Sequence, residues 1–417
     1  MPTRLTALAL SALTLLCAPS VAQAAEREDW RFGIEVRERA LYFNNVAFDG
    51  DATEDDWLWT QRLAVSTGGW LAPSVKARLS VQSAVTSGAQ RSPVDSNILD
   101  FREAYLDFGS DTRFVRLGRQ ELLLGSQRLI GTRDGTNVRR GWDGVRASSP
   151  LGDWQLDVLA VTLVEVEPEG VFNDRGDEGR RVGGIYASGP TLAGNVDLYL
   201  LYTDTDERAT IEGIANQKRY SAGVRSFGER GQVFWNWEAI YQWGQHGGLD
   251  ISAWTLATNT GYRFEAAWSP ELMLSANIAS GDGRSGDGKL GTFDALYPRG
   301  NYFSDAAILG PANFYNFNPY LTVSPSDRLS LSLDVNWFWR LETADGVYGA
   351  PGNVLRAAAG SQSDFVATGA SIGARYQIND RVSAELIYAH NSPGDFIAET
   401  GPADTADFLE LTLRFTL

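Results

Sequence analysis

The sequence predicts an all-β protein, a transmembrane antiparallel β-barrel of eighteen strands. Three observations predict it. Amphipathic segments of about ten residues recur along the chain, tight turns alternate regularly with long polar connections, and a secretory leader stands in front. No apolar run reaches the roughly eighteen residues that a spanning helix needs, so a membrane role requires strands. The composition agrees: 43 Gly, 13 Trp, 15 Tyr and 19 Phe stand beside only 2 Met.

The leader is the first element. Arg4 supplies a positive n-region, Leu8 to Leu16 an apolar core, and Ala22-Gln23-Ala24 a small-x-small cleavage site. Residues 1–24 are therefore expected to be a signal peptide and 25–417 a single barrel domain. Cys17 lies inside the leader, and Leu16 before it is too large for lipid-modified cysteine processing. The mature chain then carries no cysteine, which excludes disulfides, thiolate metal sites and a cysteine nucleophile.

The strands follow from period-two patterning. Val75, Ala77, Leu79 and Val81 form one face, with Lys76, Arg78, Ser80 and Gln82 opposite. Val233, Trp235, Trp237, Ala239, Tyr241 and Trp243 form a second, opposed by Asn236, Glu238 and Gln242; Leu329 to Trp339 form a third, broken only by Phe338. Trp and Tyr near the ends of successive strands suggest interfacial girdles. Short turns are expected near Ala72-Pro73, Gly109-Ser110, Pro150-Leu151, Gly189-Pro190, Gly228-Glu229, Ser269-Pro270, Ser324-Pro325 and Asn379-Asp380. Longer excursions are expected at about 43–56, 87–97, 125–140, 166–179, 205–218, 244–250, 281–313, 342–364 and 391–405. Eight turns and nine loops join eighteen strands with both chain ends on the short-turn, periplasmic side, and an even count suits closure. Phe314 to Val323 is placed as a strand because the turn at Pro325 otherwise has the wrong sidedness. The last strand alternates Leu409, Leu411, Leu413, Phe415 and Leu417 with Glu410, Thr412, Arg414 and Thr416 to the end of the chain, in the manner of an outer-membrane assembly signal.

A barrel of this width has a lumen that its wall side chains cannot fill, so the charge lining it decides what passes. The chain carries −16 overall and loses Arg4 with the leader, which makes it −17. Against that background seven arginines, Arg116, Arg119, Arg128, Arg133, Arg139, Arg140 and Arg146, stand in one stretch with only Glu121, Asp134 and Asp143. Alternation also points Arg37, Arg39, Arg62, Lys76, Arg78, Arg219, Arg225 and Arg375 inward, where Glu35, Glu103 and Glu238 can pair with them. Two explanations stand: the ion pairs brace a wide barrel, or a positive constriction inside an acidic shell draws an anion through weak, repeated guanidinium contacts.

The glycines of 125–140 punctuate a polar stretch too long for a tight turn, and such loops commonly fold inward to narrow a wide barrel. Their spacing is not that of a nucleotide loop, and location and net charge exclude nucleic acid. Gly281 to Lys289 alternates Asp and Gly without the ligand order of a calcium loop, and reads as a surface loop. Tyr297, Tyr302, Phe303, Phe314, Tyr315 and Phe317 either stack on sugar rings or anchor the loop. The two histidines, His246 and His390, belong to no serine constellation, so enzyme chemistry is not expected.

The run FVRLGRQELLLGSQRLIG, residues 114–131, followed by RDGTNVRRGWDGVR, residues 133–146, resembles the motif region of the alginate export family of outer-membrane proteins. Arg119, Gln120, Gly125 and Arg128 match its first part; Asn137, Arg139, Arg140, Asp143 and Gly144 match its second. The resemblance implies an eighteen-strand barrel passing an anionic exopolysaccharide, alginate or a similar uronate polymer, through an arginine-rich pore in the outer membrane of a Gram-negative bacterium. Arg119, Arg128, Arg139 and Arg140 are expected at the lumen wall or constriction, with Glu103 and Asp143 as pairing partners. Arg116, Arg133, Arg146, Arg37, Arg39, Arg62 and Arg78 are expected along the same path. No cofactor or metal is expected, and the chain reads as a monomer. Expected partners are outer-membrane lipid and lipopolysaccharide, an anionic polysaccharide or small anionic solute, and a periplasmic export scaffold. The alternative is an anion-preferring porin, general or substrate-specific, for uptake of small solutes.

Overall fold

Strand pairing closes the chain into one continuous antiparallel wall. The computed structural model describes residues 30–46, 48–49, 56–88, 95–350 and 352–417; the leader reading at 1–24 lies outside the described residues. The first nine strands are β1 (Trp30–Asn44), β2 (Asp56–Ala72), β3 (Val75–Gly88), β4 (Asn97–Gly109), β5 (Phe114–Gln120), β6 (Trp142–Leu151), β7 (Trp154–Glu165), β8 (Arg175–Thr191) and β9 (Gly194–Thr210). The other nine are β10 (Gly213–Arg230), β11 (Val233–His246), β12 (Leu249–Arg263), β13 (Glu271–Ala279), β14 (Phe314–Ser326), β15 (Leu329–Trp339), β16 (Phe365–Asn379), β17 (Val382–Pro393) and β18 (Ala406–Thr416). Each pairs with its neighbour in sequence, and β1 pairs with β18 through Glu35↔Thr416 to Asn44↔Asp407. Leu417 completes the seam: its N–H donates to Ile34 O at 2.9 Å and its carbonyl accepts from Ile34 N–H at 3.2 Å. Closure gives each of the eighteen barrel strands a neighbour on both sides, as hydrocarbon demands.

The weakly patterned segment at 314–323 is indeed a strand, paired to β13 and β15. Two expected excursions are not loops. Residues 205–218 continue β9 and β10 up to a turn at Ile211-Glu212, and 244–250 reduce to Gly247-Gly248 between β11 and β12. Polar residues beyond the bilayer remain in the sheet, so polarity alone did not mark strand ends. On the short-turn side several strands also overrun their prolines: the turns fall at Gly152-Asp153, Leu192-Ala193 and Asp327-Arg328, because proline is tolerated at a strand terminus where no ladder bond is lost.

The outer face is apolar in the middle and aromatic at its rims. Along β11 alone, Trp235 and Trp237 stand near the short-turn end and Tyr241 and Trp243 near the other, with Ala239 between. Tyr220 lies 5.0 Å from Tyr202 and 5.5 Å from Trp243, while Tyr315 and Trp339 stack at 5.2 Å. These amphipathic rings suit the two membrane interfaces.

The interior is not an open tube. The connections 121–141, 280–313 and 340–364 fold into the barrel and build an apolar core there, in which Leu122, Ile130, Phe293, Phe314, Phe338 and Phe396 are almost fully buried. Phe396 belongs to a short helix, α1 (Asp395–Thr400). Phe303 bridges to Phe314 at 4.8 Å and Phe338 at 5.0 Å, so part of the aromatic run anchors the 280–313 loop. Burial of such side chains is worth roughly 2 kcal/mol each, enough to hold long connections in one place.

Candidate functional site

Loop 121–141 crosses the lumen from β5 and β6, and the barrel wall grips it by its carbonyls. Arg37 donates to Asp134 O at 2.7 Å and Thr136 O at 2.8 Å, Arg39 to Gly135 O at 2.6 Å, and Arg62 to Asn137 O at 3.4 Å. Asn137 Nδ2 answers by donating to Gln61 O, Val85 O and Asp95 O at 3.0 to 3.2 Å. One carboxylate, Asp134, serves four guanidiniums: Arg62 at 2.7 Å, Arg414 at 3.2 Å, Arg139 at 3.4 Å and Arg37 at 3.9 Å. Arg37 and Arg62 are consequently 2% and 0% exposed, and lie beneath the loop instead of facing open space.

Most of the remaining wall arginines are paired across adjacent strands; Arg219 instead donates to Gln242 Oε1 at 2.7 Å and Gln217 Oε1 at 3.3 Å. Arg78 meets Glu103 at 3.2 Å, Arg116 meets Asp107 at 2.7 Å, and Arg146 meets Asp157 at 2.9 Å. Arg119 makes a two-pronged pair with Asp143, Nε and Nη2 each 2.9 Å from one carboxylate oxygen, and also reaches Asp100 at 3.1 Å. Arg139 binds Glu121 at 2.8 Å. Residues that alternation missed complete the ladder. Arg102 sits at a bulge opposite Ser80 and Val81 and bonds Glu121 at 2.8 Å and Glu35 at 3.5 Å; a bulge re-aims a side chain that period two would misplace. Arg39 pairs with Glu410 of the last strand.

On the far side of the lumen the loop is pinned to β11. Glu238 accepts from Arg128 Nη1 at 2.8 Å, from Tyr199 OH at 2.6 Å and from Ser126 Oγ. Gly125 permits this crossing: its φ is +52°, and a Cβ there would stand 2.2 Å from the Tyr186 hydroxyl. Loop 280–313 then runs alongside. Gly131 N–H donates to Tyr297 O, Tyr297 N–H to Leu129 O, and Arg299 N–H to Gln127 O, at 2.9 to 3.0 Å. Arg140 fastens the two loops by donating to Gly131 O at 2.9 Å, Pro298 O at 3.1 Å and Tyr297 O.

Among the described residues the two-loop ribbon borders a chamber of about 800 Å³ and another of about 640 Å³. The larger is bounded by Arg39, Arg133, Arg140 and the 294–301 segment; the smaller by Ser126 to Arg128 and the inner faces of β13 to β16. Arg299, Asn301 and Asp305 belong to both walls, so the chambers meet there. The smaller chamber is rich in amides: Asn277 Nδ2 donates to Asn316 Oδ1 at 2.9 Å, and Asn316 Nδ2 to Asn336 Oδ1 at 2.8 Å. Most arginines at the chambers are spent. Arg39, Arg128, Arg180, Arg208, Arg225 and Arg375 are in ion pairs, and Arg140 is committed to carbonyls. Arg299 carries no sequence signal, since it lies in a loop without periodicity.

His246 lies 3.2 Å from Thr210 Oγ1; His390 stands with Nδ1 2.9 Å from Asp407 and Nε2 3.2 Å from Ser392 Oγ, a Ser-His-Asp contact that corrects the expectation of no serine constellation. Asp282, in the Asp-Gly stretch, accepts from the N–H groups of Arg284 at 3.2 Å and Gly291 at 3.3 Å, a turn-forming role. Among the described residues there is no group of three or more His, Cys, Asp or Glu placed to hold a metal ion.

Solved structures share the fold. The chain is similar to Pseudomonas aeruginosa OccK2 (OpdF) in complex with glucuronate, at 12% identity and TM-score 0.62, over 94% of this chain and 96% of that one. It is similar to Acinetobacter baumannii OccAB1 at 13% identity and TM-score 0.65, over 94% and 97%. It is also similar to Pseudomonas aeruginosa OpdK with vanillate at 12% identity and TM-score 0.62, over 93% and 98%. No curated protein sequence matches it. The family model for alginate export matches residues 29–409. With that match over nearly the whole of a closed eighteen-strand antiparallel barrel, the chain belongs to the alginate export family of outer-membrane β-barrel proteins.

Proposed function

We propose that this protein is a passive diffusion channel for small anionic solutes across the outer membrane. Chamber size carries the reading. Volumes of about 640 and 800 Å³ fall in the range of roughly 300–1,000 Å³ that encloses a small molecule, and the loops that bound them share an apolar core and an ion-pair lattice. Arg299 at the junction supplies positive potential where the path narrows, and a low-dielectric surround concentrates that field. The glucuronate and vanillate named with OccK2 and OpdK are small anions, which supports the same class. Net direction follows the solute gradient, because no step consumes energy.

The family match favours a second reading, export of an anionic polysaccharide such as alginate with help from a periplasmic scaffold. It requires the ribbon between 127–131 and 297–299 to part, since a polymer must thread both chambers at once. Planar bilayers separate the two. Permeation by a monomeric uronate with no block by uronate oligomers supports the small-solute channel; concentration-dependent block by the oligomers, absent with neutral oligomers of equal length, supports export.

A further inference from the structure

We propose that the outer-leaflet rim of β8 to β12 is a docking site for lipopolysaccharide, with Arg181 and Lys218 binding its phosphate and a shallow apolar groove beneath them taking its acyl chains. The site lies on the outside of the barrel and is independent of the solute that the lumen conducts.

Strand register sets the site out in rows. At the end away from the short turns, Arg181 faces Asp204, Asp204 faces Lys218, Lys218 faces Gln245, Gln245 faces Asp250, and Asp250 faces Lys289 of the 280–313 connection. The chain neighbours Val182, Thr203, Arg219, His246 and Ile251 are buried inside, which turns the row's own strand residues outward. Two residues down, about 7 Å at the rise of a strand, Tyr220 lies 5.0 Å from Tyr202 and 5.5 Å from Trp243, rings suited to the membrane interface. Below them the wall hollows. Ala222 and Ala239 form the floor of a shallow groove, with Ile185, Leu198 and Leu200 on one bank and Tyr241, Trp254 and Leu256 on the other; these six are 40 to 49% exposed. The groove spans five strands, roughly 19 Å at the spacing of a sheet, a breadth that takes several acyl chains side by side. Lys218 and Tyr220 stand in β10 directly above Ala222, so a head group held by Lys218 hangs its chains in the groove.

Charge complements a phosphate. Among the described residues Arg181, Lys218 and Lys289 have no carboxylate oxygen within ion-pair distance. Asp204 and Asp250 share the row, yet three cations against two carboxylates leave it net positive on a chain of −16. On β1, β17 and β18, by contrast, outward charges are matched. Glu38 accepts from Trp59 Nε1 at 3.0 Å and from Gln61, and Asp407 accepts from the Tyr388 hydroxyl at 2.7 Å and lies 2.9 Å from His390. Long basic side chains at an interface keep their stems on apolar surface and reach a head group with the charged end. The short turns are periplasmic, which puts the row in the outer leaflet, where the phosphate-bearing lipid is lipopolysaccharide.

The test titrates the full-length barrel, purified in detergent and freed of co-purified lipid, with hexa-acylated lipopolysaccharide, with the same preparation stripped of its phosphates, and with phosphatidylglycerol. Native mass spectrometry reads occupancy. Wild type should reach half-occupancy with intact lipopolysaccharide at a concentration lower by about tenfold or more than with either other lipid. R181Q/K218Q should lose about tenfold in affinity for the intact lipid, while R181K/K218R, which keeps both charges, should stay within about threefold of wild type. A222W, which fills the groove floor, should weaken the intact and the stripped lipid alike. The heat-dependent gel shift identifies any misfolded variant, and unit conductance should match wild type because these side chains face lipid; if the double glutamine variant misfolds, A222W and the stripped lipid on wild type carry the test. Equal binding of intact and stripped lipid overturns phosphate recognition, and so does wild-type affinity in R181Q/K218Q. Equal occupancy by phosphatidylglycerol overturns lipopolysaccharide as the occupant, and unchanged binding by A222W overturns the groove.

Discussion

The two halves of the lumen wall solve the same problem with different chemistry. From β18 through β1 to β6 many inward positions are arginines and carboxylates, and the space they face is taken up by loop 121–141, whose carbonyls Arg37, Arg39 and Arg62 bind. From β12 to β16 the inward positions are mostly Asn, Ser and Thr, with Asp334 and Arg375 among them, and they face the smaller chamber. The difference teaches that the arginine ladder mainly positions the loop. Guanidiniums offer five donors each, more than one carboxylate can use, and the surplus goes to loop carbonyls. Amides satisfy one another in a chain across the strands and leave the space in front of them open.

The sharpest way to break that contrast is Asp134→Asn. It removes the carboxylate shared by four guanidiniums and leaves their repulsion uncompensated, so the loop should loosen by about 3 kcal/mol, below the upper values for a broken buried pair because Asp134 is 38% exposed. Limited proteolysis within 121–141 and a larger, noisier unit conductance measure it. A variant with wild-type protection would show that the ladder does not hold the loop. Next comes Glu238→Gln on β11, where Arg128 keeps its position and loses its counter-charge. A loss of about 2 kcal/mol in stability and a shift toward anions are expected from a weakened charged hydrogen-bond set, read by chemical unfolding in detergent and by reversal potential.

The amide half should respond more weakly. Asn316→Ala breaks two links of the Asn277–Asn316–Asn336 chain, yet water in the chamber can replace both, so about 1 kcal/mol is expected, with ion preference unchanged. A marked change of selectivity would mean that the amides, too, act on permeant ions. The smallest effect is a pH dependence at the rim of the charged half. Burial is the main cause that raises the Asp174 carboxyl to about 6, opposed by the Glu167 N–H that it accepts, with Asp100 nearby adding to the rise. A carboxyl with a raised pKa stabilises the fold while protonated: its contribution is complete below about pH 4 and is lost as pH rises through about 6. Partial exposure keeps it to about 1 kcal/mol or less. Hydrogen exchange over 166–174 should therefore quicken between pH 4 and 7, and Asp174→Asn should flatten the profile.

Legibility tracked locality. The pairings of Arg62 with Glu35, Arg78 with Glu103 and Arg119 with Asp143 lie on neighbouring strands in the observed register, and inward alternation was enough to suggest that such groups meet. Arg102 escaped because a bulge shifts its face, and Arg299 escaped because a loop has no period to read. The hairpins at 211–212 and 247–248 escaped for the opposite reason: outside the bilayer no apolar face marks a strand, although backbone pairing continues.

By itself the sequence determined the strand count and the outward apolar faces, because a two-residue period, turn chemistry and the exclusion of unpaired backbone from hydrocarbon are local constraints. Only the tertiary structure decided that most of the arginines are spent on carboxylates and loop carbonyls, and that two loops pair across the lumen between two chambers. Which partner each arginine takes depends on contacts between residues over a hundred positions apart, such as Arg128 with Glu238, and the loops are held by others, such as Arg299 N–H with Gln127 O; no periodicity along the chain encodes those distances.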